Sequence, residues 1–203
     1  PIEEEQYVHR IGRTGRAGAS GKSYSFAYGR DMERLRRIEK YAKCKIKEEA
    51  IPRYDKVKEK ILSYPKDMVY ATLDTHGENY LSTQEGKMLP VPHCIKGTEG
   101  WALHPALKEL ILPDHFFEKG SFGSLRLAES IWELFRQQDS MEGASIELVG
   151  LCTDICVVSN ALLLKAFLPE VPISVDSSCC AGVTKEKHLA ALETLRSCQI
   201  EVS

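Results

Sequence analysis

The stretch from Glu147 to Ala161 carries a residue suited to covalent chemistry. A mostly apolar run, Ile146 to Leu151, meets Thr153 and Asp154, which can cap a helix, and a helical apolar pattern follows with Cys156 in its first turn. Where a strand ends and a helix begins, free N–H groups and the positive helix end favour the thiolate, the nucleophilic form of cysteine. The other use of such a cysteine is as a small buried hydrophobe. A second group lies upstream. Asp74 and His76 stand two apart at the end of an apolar run, and His93 follows. One oxygen and two imidazole ligands with open positions suit Zn²⁺, Fe²⁺ or Mn²⁺, although the same residue types also make ordinary hydrogen-bonded contacts. Lys119, between Phe116-Phe117 and Gly120-Ser121-Phe122, reads on residue type alone as a charge at a strand end.

These groups need elements to hold them. Apolar runs at about 68–74, 114–118, 145–151, 171–176 and 198–202 read as strands, alternating with helical patterns at about 125–138, 154–167 and 184–197. Leu127, Ile131, Leu134 and Phe135, then Leu189, Leu192 and Leu195, supply apolar stripes. The alternation predicts a three-layer α/β fold of Rossmann type, a mostly parallel sheet with helices on both faces. Asp74, Lys119 and Cys156 then all fall at the carboxyl ends of strands, where open α/β sheets place their sites. Further upstream, Ser23 to Tyr28 reads as a short strand, Met32 to Tyr41 as a helix and Tyr54 to Ser63 as another.

A chain of 203 residues with 43% hydrophobic content can bury one sizeable core, and a net charge of −2 demands no polyanionic partner. The absence of a long apolar run or a signal-like start predicts a cytoplasmic location and no membrane partner. Seven cysteines in no regular framework, Cys44, Cys94, Cys152, Cys156, Cys179, Cys180 and Cys198, suit reduced thiols. Charge divides unevenly: residues 1–50 hold twelve Lys/Arg against eight Asp/Glu, and the remainder fifteen against twenty-one. That shift predicts two parts of different origin, 1–50 and 51–203.

Gly150-Leu151-Cys152-Thr153-Asp154-Ile155-Cys156-Val157 resembles the nucleophile motif of the isochorismatase-like cysteine hydrolases, the superfamily that includes nicotinamidases. Other pieces occur in that family's order: Asp74-Thr75-His76, Pro92 to Gly100, Lys119 to Ser124 and Val175 to Gly182. The resemblance implies hydrolysis of a small amide such as nicotinamide through a thioester. Cys156 is then the nucleophile, Lys119 the catalytic lysine, and the backbone N–H groups of Cys152 and Cys156 the oxyanion hole, shaped by a cis Leu151–Cys152 bond. It further implies a divalent metal on Asp74, His76 and His93, with Ser82 or Glu85 as an added ligand. Trp101 and Phe122 could wall a flat substrate or belong to the core. A homo-oligomer is expected.

The family's triad also needs an aspartate, ordinarily at the end of an opening apolar strand. No such segment precedes the helix at 54–63, so the strand Ser23–Tyr28 is the substitute and Asp31 either the triad carboxylate or simply the N-cap of the next helix. In the missing strand's place stands His9-Arg10-Ile11-Gly12-Arg13-Thr14-Gly15-Arg16-Ala17-Gly18, which is similar to the last signature motif of DEAD-box RNA helicases, whose arginines reach ATP. No phosphate-binding loop accompanies it. Gly21-Lys22-Ser23 would need glycine at position 16, which is Arg16, so no nucleotide cofactor is expected, and the arginines of the helix at 32–41 read as a solvated face, so no nucleic-acid partner is expected either. A folded pseudo-hydrolase that binds without turnover, and a helicase-derived RNA-binding module, remain the other readings.

Overall fold

Helical periodicity and short apolar runs become a regular βα alternation in the computed structural model, which describes residues 31–46, 54–137 and 143–203, with the side chains of 31, 32 and 54 left out. The chain divides into two units, Pro1–Ala50 and Ile51–Ser203. In the first, helix α1 (Asp31–Ala42) buries Ile38, and the Glu39 carboxylate accepts a hydrogen bond from the Ile46 N–H at 2.8 Å. The expected strand Ser23–Tyr28, the helicase-like motif and the side chain of Asp31 lie outside the described residues.

The second unit runs α2 (Tyr54–Leu62), β1 (Ala71–Asp74), α3 (Gln84–Met88), α4 (Pro105–Lys108), β2 (Phe116–Lys119), α5 (Leu125–Arg136), β3 (Ile146–Leu151), α6 (Val158–Phe167), β4 (Ile173–Ala181), α7 (Lys185–Ser197) and β5 (Glu201–Val202). All pairings among these strands are parallel, as βα crossovers require. Instead of one sheet, the described residues form a β1–β2 pair and a β3–β4–β5 sheet. Strand β4 also runs five residues beyond its expected end at 176, because a register shift between Leu148 and Gly150 re-pairs Gly150 with Cys180 and Leu151 with Ala181.

Of the apolar stripes predicted for the helices, Ile131 and Phe135 of α5 and Leu192 and Leu195 of α7 enter the core and Leu127 packs against it, whereas Leu134 does not join it; Ala128 of α5 and Ala161 and Leu164 of α6, outside those stripes, complete it around Val175 of β4. Leu189, assigned to a stripe, is exposed instead. All seven cysteines are free thiols. Among the described residues no helix is long and apolar enough to cross a membrane.

Candidate active site

Parallel register sets the first two charged groups side by side. Asp74 ends β1 opposite Lys119, which ends β2, and the Thr75 N–H donates to the Lys119 carbonyl at 2.8 Å. The Lys119 side chain is only 3% exposed. Its Nζ donates to Asp74 Oδ1 at 3.1 Å, to the Ser121 carbonyl at 3.0 Å and to Cys156 Sγ at 3.3 Å. An ammonium has three N–H donors, and here each has an acceptor. A buried charge requires such partners.

Cys156 sits in a π-helical turn, Thr153–Val157, that follows β3 directly, and the peptide bond before it, Leu151–Cys152, is cis. The expected capping by Thr153 and Asp154 is not what these side chains do. Cys152 is the N-cap, without a side-chain cap bond. Thr153 Oγ1 instead pairs with His188 Nδ1 at 2.8 Å, and Asp154 Oδ1 accepts from the Val183 N–H at 2.9 Å. Tertiary partners on α7 and the loop before it thus take the groups that would have capped, and pin the turn to β4 and α7.

One residue that sequence reasoning missed holds the turn from the other side. Asn160, buried, donates from Nδ2 to the Cys156 carbonyl at 2.7 Å and to the Phe122 carbonyl at 3.3 Å, and its Oδ1 accepts from the Ser124 N–H at 2.9 Å. It ties the cysteine turn to the loop after Lys119. Its only sequence signal was a polar residue four positions after the cysteine on an otherwise apolar helix face.

The neighbouring thiols differ in environment. Burial pushes the Cys152 thiol up to about 11, with Asp154 and Cys156 adding to it. Burial likewise raises Cys94, helped by Asp74 and opposed by Lys119. Both are therefore disfavoured as thiolates near neutrality, and neither has the Lys119 contact that Cys156 has.

On the far side of Asp74 lies a pocket of ligand atoms. His76 continues beyond β1 by an isolated parallel bridge to Ile95, its N–H bonded to the Cys94 carbonyl at 2.9 Å, and this draws His93 toward it. Asp74 Oδ2 lies 3.4 Å from His76 Nε2 and 3.7 Å from His93 Nε2. Glu85 Oε1 lies 3.8 and 3.6 Å from the same two nitrogens. One ligand atom from each of Asp74, His76, Glu85 and His93 falls within 4.8 Å of the others. His76 Nε2 is buried with no hydrogen-bond partner, the state of a nitrogen that reserves its lone pair. The His93 Nδ1 lies 2.9 Å from the Val91 carbonyl, which can only accept, so Nδ1 carries the proton and Nε2 is free to ligate. The four residues fit a divalent cation.

Tyr80 forms the floor, 1% exposed, with its ring centroid 4.8 Å from that of His76 and 5.0 Å from that of His93. Glu85 enters from α3, whose N-cap Thr83 accepts from the Gly86 N–H at 3.0 Å. Ser82, the other candidate ligand, donates its hydroxyl to the Asn79 carbonyl at 2.6 Å. Trp101 donates from Nε1 to Thr75 Oγ1 at 2.9 Å, beside Asp74, and Phe122 is exposed on the loop after Lys119. Of the expected site residues, Cys156, Lys119, Asp74, His76 and His93 are brought together.

Comparison with known proteins finds relatives of two kinds. A family model described as Isochorismatase domain matches residues 40–203. A nicotinamidase/pyrazinamidase from Bacillus subtilis superposes with a TM-score of 0.59 at 24% identity, over 74% of this chain and 83% of that one. A pyrazinamidase of Pyrococcus horikoshii in complex with zinc gives 0.53 at 23% identity, over 73% and 83%. The pyrazinamidase/nicotinamidase of Streptococcus mutans UA159 gives 0.55 at 26% identity, over 73% and 81%. These are likenesses of fold. Among curated relatives, the DEAD-box ATP-dependent RNA helicase CshA of Bacillus licheniformis is 34% identical over 89 residues, 44% of this chain and 18% of the helicase. The ATP-dependent RNA helicase RhlB of Aliivibrio fischeri is 54% identical over 55 residues, 27% of this chain and 12% of the helicase. The chain thus spans less than a fifth of these helicases' own length, and contains a helicase-like segment beside its larger domain.

Proposed function

The chain belongs to the isochorismatase domain family, and from that premise we propose that it is a cysteine hydrolase acting on a small amide, nicotinamide being the first to test. The observation that carries this reading is the contact of Lys119 Nζ with Cys156 Sγ at 3.3 Å, in a lysine whose ammonium is buried. Cys156 attacks the amide carbonyl as a thiolate, with the Lys119 charge beside the sulfur. The backbone N–H groups of Cys152 and Cys156 hold the oxyanion. The C–N bond breaks, the amine leaves as ammonia with the proton released from the thiol, and water cleaves the thioester to the acid and regenerates Cys156. Trp101 and Phe122 flank the opening as apolar walls.

Asp74, His76, His93 and Glu85 would hold a divalent cation, zinc, iron or manganese, which supplies a Lewis-acid anchor for a ring nitrogen of the substrate. The likeness to a zinc-containing pyrazinamidase favours zinc. The catalytic unit is 51–203, 1–50 is the helicase-derived part, and the enzyme acts in the cytoplasm as a homo-oligomer.

The test is ammonia release from nicotinamide and a panel of primary amides, with and without added Zn²⁺ or Mn²⁺, against Cys156→Ala as blank. Cys156-dependent release is the expected result; none from folded protein with any amide or metal overturns the reading. The same assay judges Asp31 as proton acceptor: Asp31→Asn with unchanged turnover removes it from the mechanism.

A further inference from the structure

Asp74 faces two ways. Its Oδ2 looks into the ligand pocket, 3.4 Å from His76 Nε2 and 3.7 Å from His93 Nε2, whereas its Oδ1 accepts from Lys119 Nζ at 3.1 Å. Lys119 in turn reaches Cys156. The other oxygen on this ammonium is the neutral Ser121 carbonyl, so among the described residues Asp74 is the single carboxylate bonded to it. We propose that Asp74 is a positioning residue that serves both halves of the site, neutralising and aiming the Lys119 ammonium at the Cys156 sulfur while lending its second oxygen to the cation pocket. The triad carboxylate and the cation ligand are then one residue, and the state of the cation pocket reaches the nucleophile through a single carboxylate and a single ammonium. The inference rests on the reading of Cys156 as the nucleophile but needs no substrate for its test.

The charge arithmetic gives an unusual sign. In the native site the ammonium's positive charge is shared between a carboxylate and the sulfur. Replacing Asp74 by Asn keeps an acceptor oxygen but removes the carboxylate's charge, leaving the sulfur as the one group that can become an anion beside a buried ammonium. The thiolate should therefore form at lower pH in the variant, even though hydrolysis slows. The other ionisable groups facing the sulfur are Cys94 from the loop beyond β1 and Cys152 on its own turn, with Asp154 next to the latter and Glu85 beyond Asp74.

The experiment is the pH profile of Cys156 alkylation by iodoacetamide, read by peptide mass spectrometry in the presence of a chelator, for the full chain. Asp74→Asn should move the half-maximal rate about one pH unit downward. Glu85→Gln removes the same charge from the same pocket without touching Lys119, and should move it by less than about a third of that. Asp74→Ser, which removes the charge with less bulk, is the second variant; a downward shift in either folded variant supports the proposal. A profile unmoved or shifted upward in whichever variant folds, or an equal shift in Glu85→Gln, overturns it. If the shift appears while no amide is hydrolysed, the pairing stands and the amidase reading falls; if amides are hydrolysed without the shift, the reverse holds.

Discussion

Asn160 spends both N–H donors and one oxygen lone pair on geometry, holding the Cys156 and Phe122 carbonyls with one end of the amide and the Ser124 N–H with the other. Asn160→Ala removes the side-chain partner of the Ser124 N–H and of the Cys156 and Phe122 carbonyls, so we expect a loss of about 1–3 kcal/mol, seen as a lower thermal midpoint, together with slower Cys156 alkylation. Selectivity among the thiols follows from their surroundings. With Cys152 pushed up to about 11 and Cys94 raised, iodoacetamide at pH 8 should label Cys156 at least about tenfold faster than either, which peptide mapping will show. Equal labelling would remove the special status of the Lys119 contact. The residues that could be picked from the sequence were those whose partners are announced by a local pattern: Cys156 at a strand-to-helix join, and Asp74 with His76 at a strand end. Asn160 and the Thr153–His188 pair could not be picked, because each is defined by a partner on a segment more than thirty residues away.

The short helix α3 has one task that its sequence of five residues scarcely suggests, which is to present Glu85 to the two histidines. It can approach the preceding turn only because position 86 is glycine: a Cβ there would stand 2.0 Å from the Tyr80 carbonyl oxygen. Gly86→Ala must push α3 off the Tyr80 floor. We expect a loss of stability of about 1–3 kcal/mol and at least tenfold weaker binding of Mn²⁺, measured by its electron paramagnetic resonance signal. Full retention of Mn²⁺ affinity would show that Glu85 is dispensable to the pocket. The longer helices were readable from their apolar stripes, since a period of 3.6 residues is a property of the chain itself. The extension of β4 to Ala181 was not, because it depends on a register shift in the strand beside it.

Helix α2 is bound to the β3–β4–β5 sheet by ions. Lys60 Nζ lies 2.9 Å from Asp176 Oδ2 and 3.2 Å from Glu147 Oε1, and Tyr64 donates to Glu147 Oε2 at 2.9 Å. Burial alone would raise the Asp176 carboxyl, but hydrogen bonds from Lys60 and Ser178 and the Lys60 charge outweigh it and hold it at about 2. A carboxyl lowered in the folded state stabilises the fold above its ordinary value near 3.8, and that stabilisation is lost as pH falls toward 2. The contribution is about 2 kcal/mol, so urea unfolding should show stability declining across this window. Lys60→Met should flatten the decline, and an unaltered acid limb in that variant would mean that other carboxyls carry it.

The order of strands and helices, the class of fold and the family follow from neighbours along the chain, because hydrophobic period and short motifs are written within a dozen residues. The helicase-like segment was readable for the same reason. Through-space contacts settle the remainder: that Asp74 meets Lys119 by parallel register, that the cap residues Thr153 and Asp154 are claimed by α7 and its approach, and that Glu85 joins Asp74 and the two histidines. Each of these is a choice among acceptors that are equally near in sequence terms. Only the packing of distant strands and helices fixes which groups meet, at hydrogen-bond distance as Lys119 and Asp74 do, or around a common point as Glu85 and the two histidines do.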